Sequence, residues 1–227
     1  MTAVDVERLE GAAHRRKASE VAQSMVPNIV QERLDALTSG RVTLDAGSHP
    51  DFETGHCAME VVSWLAGLGH TDAPVCASPV LRSFTISLND QWDRVQRQKL
   101  VPFLPRMVGT AGDGQDEARS YLALDWLIRT YTPAWLDIAG LTVEAGELRS
   151  LRRIVDISTA KAAGPVVRAA QAKAATAWAG AGAVAGDAAG DAARAAAWDA
   201  LRPTVETLQA SALDLLDRMI DPKAVTA

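Results

Sequence analysis

Apolar residues recur at helical spacing along most of this chain, with polar residues between them. Runs of alternating β-branched and polar residues closed by tight turns, which would predict strands, are nearly absent, and Arg41–Leu44 is only a marginal candidate. The most regular stretch lies near the C-terminus, where apolar residues follow one another at alternating steps of three and four. The pattern therefore predicts an all-α protein.

The composition changes near residue 158, and this change predicts the domain organisation. Between Ala160 and Ala200, 21 of 41 residues are alanine, which favours helix but buries little apolar area. We expect a compact helical domain over residues 1–157 and an Ala-rich helical arm over residues 158–227 that ends in an amphipathic helix. Glycines between Gly180 and Gly190 predict a break in the arm, because glycine is unfavourable inside a helix.

The regular C-terminal pattern allows two interpretations. A three-heptad apolar seam is either the face by which a helix packs on its own domain, or a surface for association with a second copy or a protein partner. Pro203 lies inside the pattern, so the helix is expected to kink there or a new helix to begin with Pro203. The seam consists of Trp198, Leu201, Val205, Leu208, Ala212, Leu215 and Met219.

Prolines and short polar residues predict several helix boundaries. Pro79 is expected in the first turn of one helix, and Asn89-Asp90 at the start of the next. Thr132 is expected to be the N-cap of a helix that continues with Pro133. The first predicted helix covers about Val4 to Leu37 and is divided at Pro27.

Charge and length argue against several classes of protein. A net charge of −5 does not suit a nucleic-acid binder, which would carry a basic excess. The longest uncharged stretch, residues 174–186, is too short to span a bilayer, so we expect no membrane segment. The acidic N-terminal sequence lacks an apolar signal core, so we expect a cytoplasmic protein with reduced cysteines.

One segment, residues 47–80, concentrates the side chains that could carry chemistry, since it holds three of the four histidines and both cysteines. Two thiols and two imidazoles could bind zinc, with a carboxylate in place of one ligand. The candidate ligands are Cys57, Cys76, two of His49, His56 and His70, and Glu60 or Asp72. The alternative is a pair of buried small thiols that pack a helix against the following loop.

The sequence identifies no catalytic residue, although Cys57 is expected in the first turn of a helix. There the helix dipole and the neighbouring His56 could lower the pKa of its thiol. The chain has no phosphate-binding loop, dinucleotide glycine pattern, His-Glu-x-x-His or Gly-x-Ser-x-Gly sequence. No cofactor is expected, apart from the zinc alternative.

Two carboxylates fall on predicted apolar helix faces. Glu60 shares a face with Cys57 and Trp64, and Asp125 interrupts an apolar run beside Leu124. Carboxylates in such positions are seldom buried unless they are paired. They indicate either a polar or metal pocket between helices, or buried ion pairs such as Asp125 with Arg129 one turn later.

A set of short motifs resembles a family of uncharacterised proteins from actinobacteria and their phages that carry a Cys-x-Met-Glu-Ala motif. The matching segments are Cys57-Ala-Met59-Glu60, His70-Thr-Asp72-Ala-Pro74-Val-Cys76-Ala-Ser-Pro79-Val80, Asn89-Asp90, Leu104-Pro105, Val108-Gly109-Thr110, Asp125-Trp126-Leu127, Pro133-Ala-Trp135-Leu136 and the tail from Leu208 to Leu216. The resemblance covers most of residues 47–220, with Val61 where the family usually has alanine. It implies an Ala/Trp-rich helical region before the tail and implies no activity.

Together these features favour a non-enzymatic cytoplasmic interaction or regulatory protein, in keeping with a phage-encoded origin. Its contacts would be with a protein partner or a second copy through the C-terminal seam. The alternative is a metal-dependent hydrolase or nucleotide-processing enzyme that uses Cys57, Glu60, Asp72 and Cys76.

Overall fold

The computed structural model describes residues 29–184 and 191–222, and this part of the chain is all-helical, as the hydrophobic pattern predicts. No strand occurs in these two ranges. The predicted helix over Val4–Leu37 lies mostly outside them, and its described part is a short helix, α1, over Gln31–Thr38. None of the described helices is long and apolar enough to cross a membrane.

The contacts divide the chain into two compact units, Met1–Asp113 and Gly114–Ala227. The boundary expected from composition, at residue 157, therefore falls inside the second unit. Composition marks where alanine becomes frequent, whereas the units are set by which helices pack together. Helices on both sides of residue 157 pack on one another in the second unit.

The first unit surrounds an apolar core with short helices. After α1 come α2 (Ala58–Leu65), α3 (Pro79–Gln91), α4 (Arg94–Arg97), a 3-10 helix over Gln98–Phe103, and α5 (Leu104–Met107). Helix α2 packs on α3 and α5. The fully buried side chains of this core include Leu37, Leu44, Met59, Leu65, Leu81, Leu100, Leu104 and Met107.

Side-chain caps determine where α3 and α4 begin. Ser78 accepts hydrogen bonds from the N–H groups of Val80 and Leu81, with Pro79 in the first turn as predicted. The expected start at Asn89-Asp90 is wrong, because α3 continues to Gln91 and Asp93 caps α4 instead. Asn89 is fully buried and uses its side chain elsewhere in the unit.

The second unit contains longer helices. They are α6 (Asp116–Trp126), a π turn over Leu127–Tyr131, α7 (Thr132–Ile138), α8 (Thr142–Ser150), α9 (Ile157–Val184) and α10 (Asp191–Ile220). Helix α8 packs on α7 and α9, and α10 packs on α6. The Ala-rich region is therefore joined to the helices that precede it.

The prediction that Thr132 caps a helix is wrong, because its backbone is already helical (φ −59°, ψ −46°) and makes no side-chain cap. The chain passes from α6 through the π turn into α7. A proline ring clashes with the carbonyl four residues earlier, which for Pro133 belongs to Arg129 inside the π turn. The wider turn is the expected way to accommodate that ring.

The two long helices continue through residues that were expected to interrupt them. Helix α10 includes Pro203, so no new helix begins there. Helix α9 includes Gly180 and Gly182 and ends at Val184, so the expected break does not occur in that part. The remainder of the expected break, residues 185–190, lies outside the described residues.

Candidate functional site

The N-terminus of α2 carries the residues that the sequence singled out for chemistry. Cys57 has an extended backbone (φ −77°, ψ 170°) and is the N-cap, and its sulfur accepts from the N–H of Glu60. Glu60 Oε2 accepts from the N–H of Cys57 at 2.7 Å, which completes a capping box. The N–H of Ala58 is bonded to Asn89 Oδ1 at 3.1 Å. These amide donors of the helix are therefore satisfied within the protein.

Two histidines complete the surroundings of the Glu60 carboxylate, which is only 1% exposed. His49 donates to it twice, from its backbone N–H to Oε1 at 2.8 Å and from ring Nδ1 to Oε2 at 2.9 Å. His70 Nε2 lies 3.5 Å from Oε1 and donates to the carbonyl of His49 at 2.9 Å. We call His49, Glu60 and His70 the His–Glu cluster.

The hydrogen bonds keep the buried carboxylate ionised. Burial by itself would raise the pKa of Glu60, because it penalises the charged form. The bonds from the backbone of His49 and Cys57 and from the His49 ring lower it by more, and the nearby His70 adds to the effect. The net result is a pKa of Glu60 below its ordinary value.

Gly55 allows the His49 ring to reach Glu60. A β-carbon at Gly55 would lie 2.6 Å from His49 Cδ2 and 2.8 Å from Nε2, closer than side chains pack. The φ of Gly55 is +142°, which side chains also disfavour. The loop can therefore fold over α2 in this form only with glycine at position 55.

Aromatic rings pack the rest of the polar loop against α2. Phe52 stacks on the His56 ring, with centroids 4.0 Å apart, and on Trp64 at 4.5 Å. The guanidinium of Arg33 lies over the Trp64 ring, 5.4 Å from its centroid. His56 is thus engaged in stacking, with Nδ1 3.3 Å from the carbonyl of Phe52.

The thiols match the alternative of two buried small thiols and not that of an activated Cys57. Both cysteines are free and buried. Burial raises the pKa of Cys57 to about 12, and the Glu60 carboxylate adds to the increase, since it disfavours a second negative charge. Burial also raises the pKa of Cys76. The pKa of Cys57 is therefore not lowered, because desolvation is the largest effect on it.

The structure gathers only part of the candidate zinc set. It brings His49, Glu60 and His70 together and places Cys57 at the adjacent helix cap. Asp72 is half-buried and makes no hydrogen bond or ion pair with the described residues of the cluster. The Cys76 carbonyl accepts from the N–H groups of Gly109 and Ala111. Among the described residues, no group of three or more histidine, cysteine, aspartate or glutamate side chains is arranged to hold a metal ion.

Sequence reasoning missed two partners of this site. His49 was considered only as a zinc ligand, and Asn89 was placed at a helix start. The signal for the capping box was present, because Cys57 precedes Glu60 by three residues and cysteine can replace the usual serine. The contact of Asn89 spans 31 residues of sequence, so no local pattern could have predicted it.

In the second unit, Asp125 is a structural carboxylate. Its Oδ1 accepts from the N–H of Ile154 at 2.8 Å and lies 3.2 Å from Arg129 Nη1. The ion pair expected from the four-residue spacing is present. Asp125 is partly exposed, so the pair is less deeply buried than Glu60.

The C-terminal seam divides into two parts. Leu208, Ala212, Leu215 and Met219 are buried, and α10, which carries them, packs on α6. Trp126 Nε1 also donates to Ser211 Oγ at 3.0 Å between these helices. Leu201 and Val205 are half-buried, and the Trp198 side chain lies outside what the structure describes.

The second unit also contains a half-open cavity of about 300 Å³ between α7, α8 and α9. Two polar side chains reach it, Thr132 and Gln171. The remaining wall is apolar and consists of Ile128 from the π turn, Leu136, Leu148, Val167, Ala170 and Ala174. Several of these residues belong to the apolar core of the unit, so the cavity extends from the core to the surface.

Comparisons with protein-family models, with curated proteins and with solved structures gave no match.

Proposed function

We propose that this chain is a non-enzymatic cytoplasmic protein that acts by binding another molecule. The observation that carries the proposal is the saturation of Glu60. Both of its oxygens accept hydrogen bonds from His49 or Cys57, so the carboxylate serves to fasten a loop to a helix. A general base needs an oxygen that can reach a substrate proton.

The thiols support the same proposal. A cysteine acts as nucleophile or metal ligand in its thiolate form. With a pKa of about 12, Cys57 is protonated at neutral pH, and Cys76 is shifted in the same direction. Their observed contribution is to cap α2 and to fill space in the core.

The C-terminal seam remains the proposed surface for a protein partner or a second copy. The surface comprises fewer residues than the sequence pattern indicates. Leu208, Leu215 and Met219 are already buried. Association through α10 would therefore use the half-buried positions Leu201 and Val205 and leave the other three in place.

The zinc content of the purified protein distinguishes this proposal from the alternative that the chain is a metal-dependent hydrolase. Full-length protein purified without added metal should contain far less than one zinc per chain by plasma mass spectrometry. Its thermal midpoint should not change when a chelator is added. Stoichiometric zinc that is lost in both Cys57→Ala and Cys76→Ala, but kept in the exposed-residue control Glu53→Gln, would contradict the proposal.

A further inference from the structure

We infer that the cavity of the second unit binds an uncharged small molecule with an apolar body and one hydrogen-bonding group. This inference rests on the proposed function as a binding protein and adds a ligand class to it.

The cavity is a half-open space that borders the apolar core of the second unit. Its volume of about 300 Å³ lies at the lower end of the range for small-molecule pockets. A space of this size next to a formed apolar core is therefore suited to a ligand.

Alanines on α9 keep the cavity open. Ala170 is buried beside Leu136 and Leu148, and Ala174 is half-buried one turn later on the same face. A larger aliphatic side chain at either position would project into the cavity and stabilise the core by filling it. Small residues therefore sit where packing alone would favour larger ones.

The lining determines the class of ligand. Among the described residues, no charged side chain lines the cavity, so an ionic group would be transferred from water without a partner. Its polar side chains are Thr132, which is half-buried and makes no hydrogen bond to the described residues, and Gln171, which is exposed at the rim. A ligand hydroxyl, amide or carbonyl can pair with one of them while the apolar body contacts Ile128, Leu136 and Leu148.

Titration with three matched probes tests this chemistry in the full-length protein. The probes are 1-hexanol, hexanoate and hexylammonium, which share the alkyl chain and differ in charge. In methyl NMR spectra, 1-hexanol should cause saturable shifts that are largest at Ile128, Leu136, Leu148 and Val167. The two ions should bind at least about tenfold more weakly, since they leave a charge unpaired. Equal binding of all three would overturn the assigned ligand class.

Filling the cavity tests its location. Ala170→Leu should weaken 1-hexanol binding at least about tenfold without lowering the thermal midpoint, because the added side chain replaces the ligand. Ala174→Leu provides a second filling variant if the first does not fold. Ala169→Leu, which is exposed on the same helix, is the matched control and should bind as the wild type does.

Unchanged binding in both filling variants, or no saturable binding by the wild type, would overturn the inference. Neither outcome would contradict the proposed function, which fails on the separate finding of stoichiometric zinc.

Discussion

At the scale of single residues, Glu60 explains most of the polar segment around it. An ionised carboxylate cannot be buried without partners, since the loss of hydration is large. Here the partners come from the helix cap, from the loop backbone and from one imidazole. The His49 ring in turn requires a glycine at position 55, because a β-carbon there would collide with the ring. One buried charge therefore fixes the identity of several neighbours.

Glu60→Gln should lower the free energy of unfolding by about 1–3 kcal/mol at neutral pH, because a neutral amide accepts these hydrogen bonds more weakly. The pKa of Glu60 is lowered in the folded protein, so its contribution is present above the ordinary glutamate pKa of about 4.3. The contribution is lost as the pH falls through the lowered value. Urea denaturation from pH 7 to pH 3 should show the two proteins converging at the acid end.

Glu53→Gln is the control for this experiment, since Glu53 lies on the same loop and is exposed. It should change the free energy of unfolding by less than about 0.5 kcal/mol at any of these pH values. A constant difference between wild type and Glu60→Gln across the range would contradict the assignment of Glu60 as an ionised cap.

At the scale of elements, Arg119 fastens the end of α10 to α6. Its guanidinium is fully buried and donates from Nε to the carbonyl of Met219 at 2.8 Å and from Nη2 to that of Ile220 at 3.4 Å. These carbonyls lie in the last turn of α10, where intrahelical donors are lacking. The same side chain pairs with Asp116 at 3.1 Å. Sequence reasoning missed this residue, because its partners lie about 100 residues away.

Arg119→Met should lower the free energy of unfolding by about 2–4 kcal/mol, because it keeps the apolar stem and leaves buried carbonyls without donors. Arg218→Met is the matched control in the last turn of α10, where the guanidinium is 43% exposed. The control should cost less than about 1 kcal/mol. Equal losses in the two variants by chemical denaturation would contradict a specific role for the buried guanidinium.

The heptad pattern of α10 belongs to the same scale. Leu208→Glu should lower the free energy of unfolding by about 3–5 kcal/mol, since it places a charge at a buried apolar position. Leu201→Glu is the matched substitution in the half-buried part of the seam and should cost clearly less. Sedimentation velocity at two concentrations should show no oligomer that depends on Leu208. A folded wild-type dimer that Leu208→Glu converts into a folded monomer would contradict this.

At the scale of the whole molecule, the described residues form two units, and composition does not locate the division between them. The Ala-rich stretch looks like an appendage in the sequence because it lacks large apolar side chains. In the structure, α9 packs on α8, and α10 packs on α6 through the buried half of the seam. Alanine permits such packing, since small side chains allow helices to approach closely.

Local sequence determined the helical class, the start of α3 at Ser78-Pro79 and the Asp125–Arg129 pair, because each depends on residues within about one helical turn. It did not determine whether Leu208, Leu215 and Met219 face their own unit, since a heptad seam has the same spacing in either case. It also could not decide that the Cys57 thiol is protonated. That outcome depends on the depth of burial and on Glu60, which the helix dipole could not offset.

Only the tertiary structure shows three hydrogen bonds between distant residues: His49 to Glu60, Asn89 to the first turn of α2, and Arg119 to the end of α10. It alone showed that Ala170 and Ala174 border a cavity. These features depend on how distant segments meet, and side-chain periodicity carries no information about distant partners. The sequence therefore determined which segments are helical and which faces are apolar. Packing decided which partner each buried polar group forms a hydrogen bond with, and where a cavity remains.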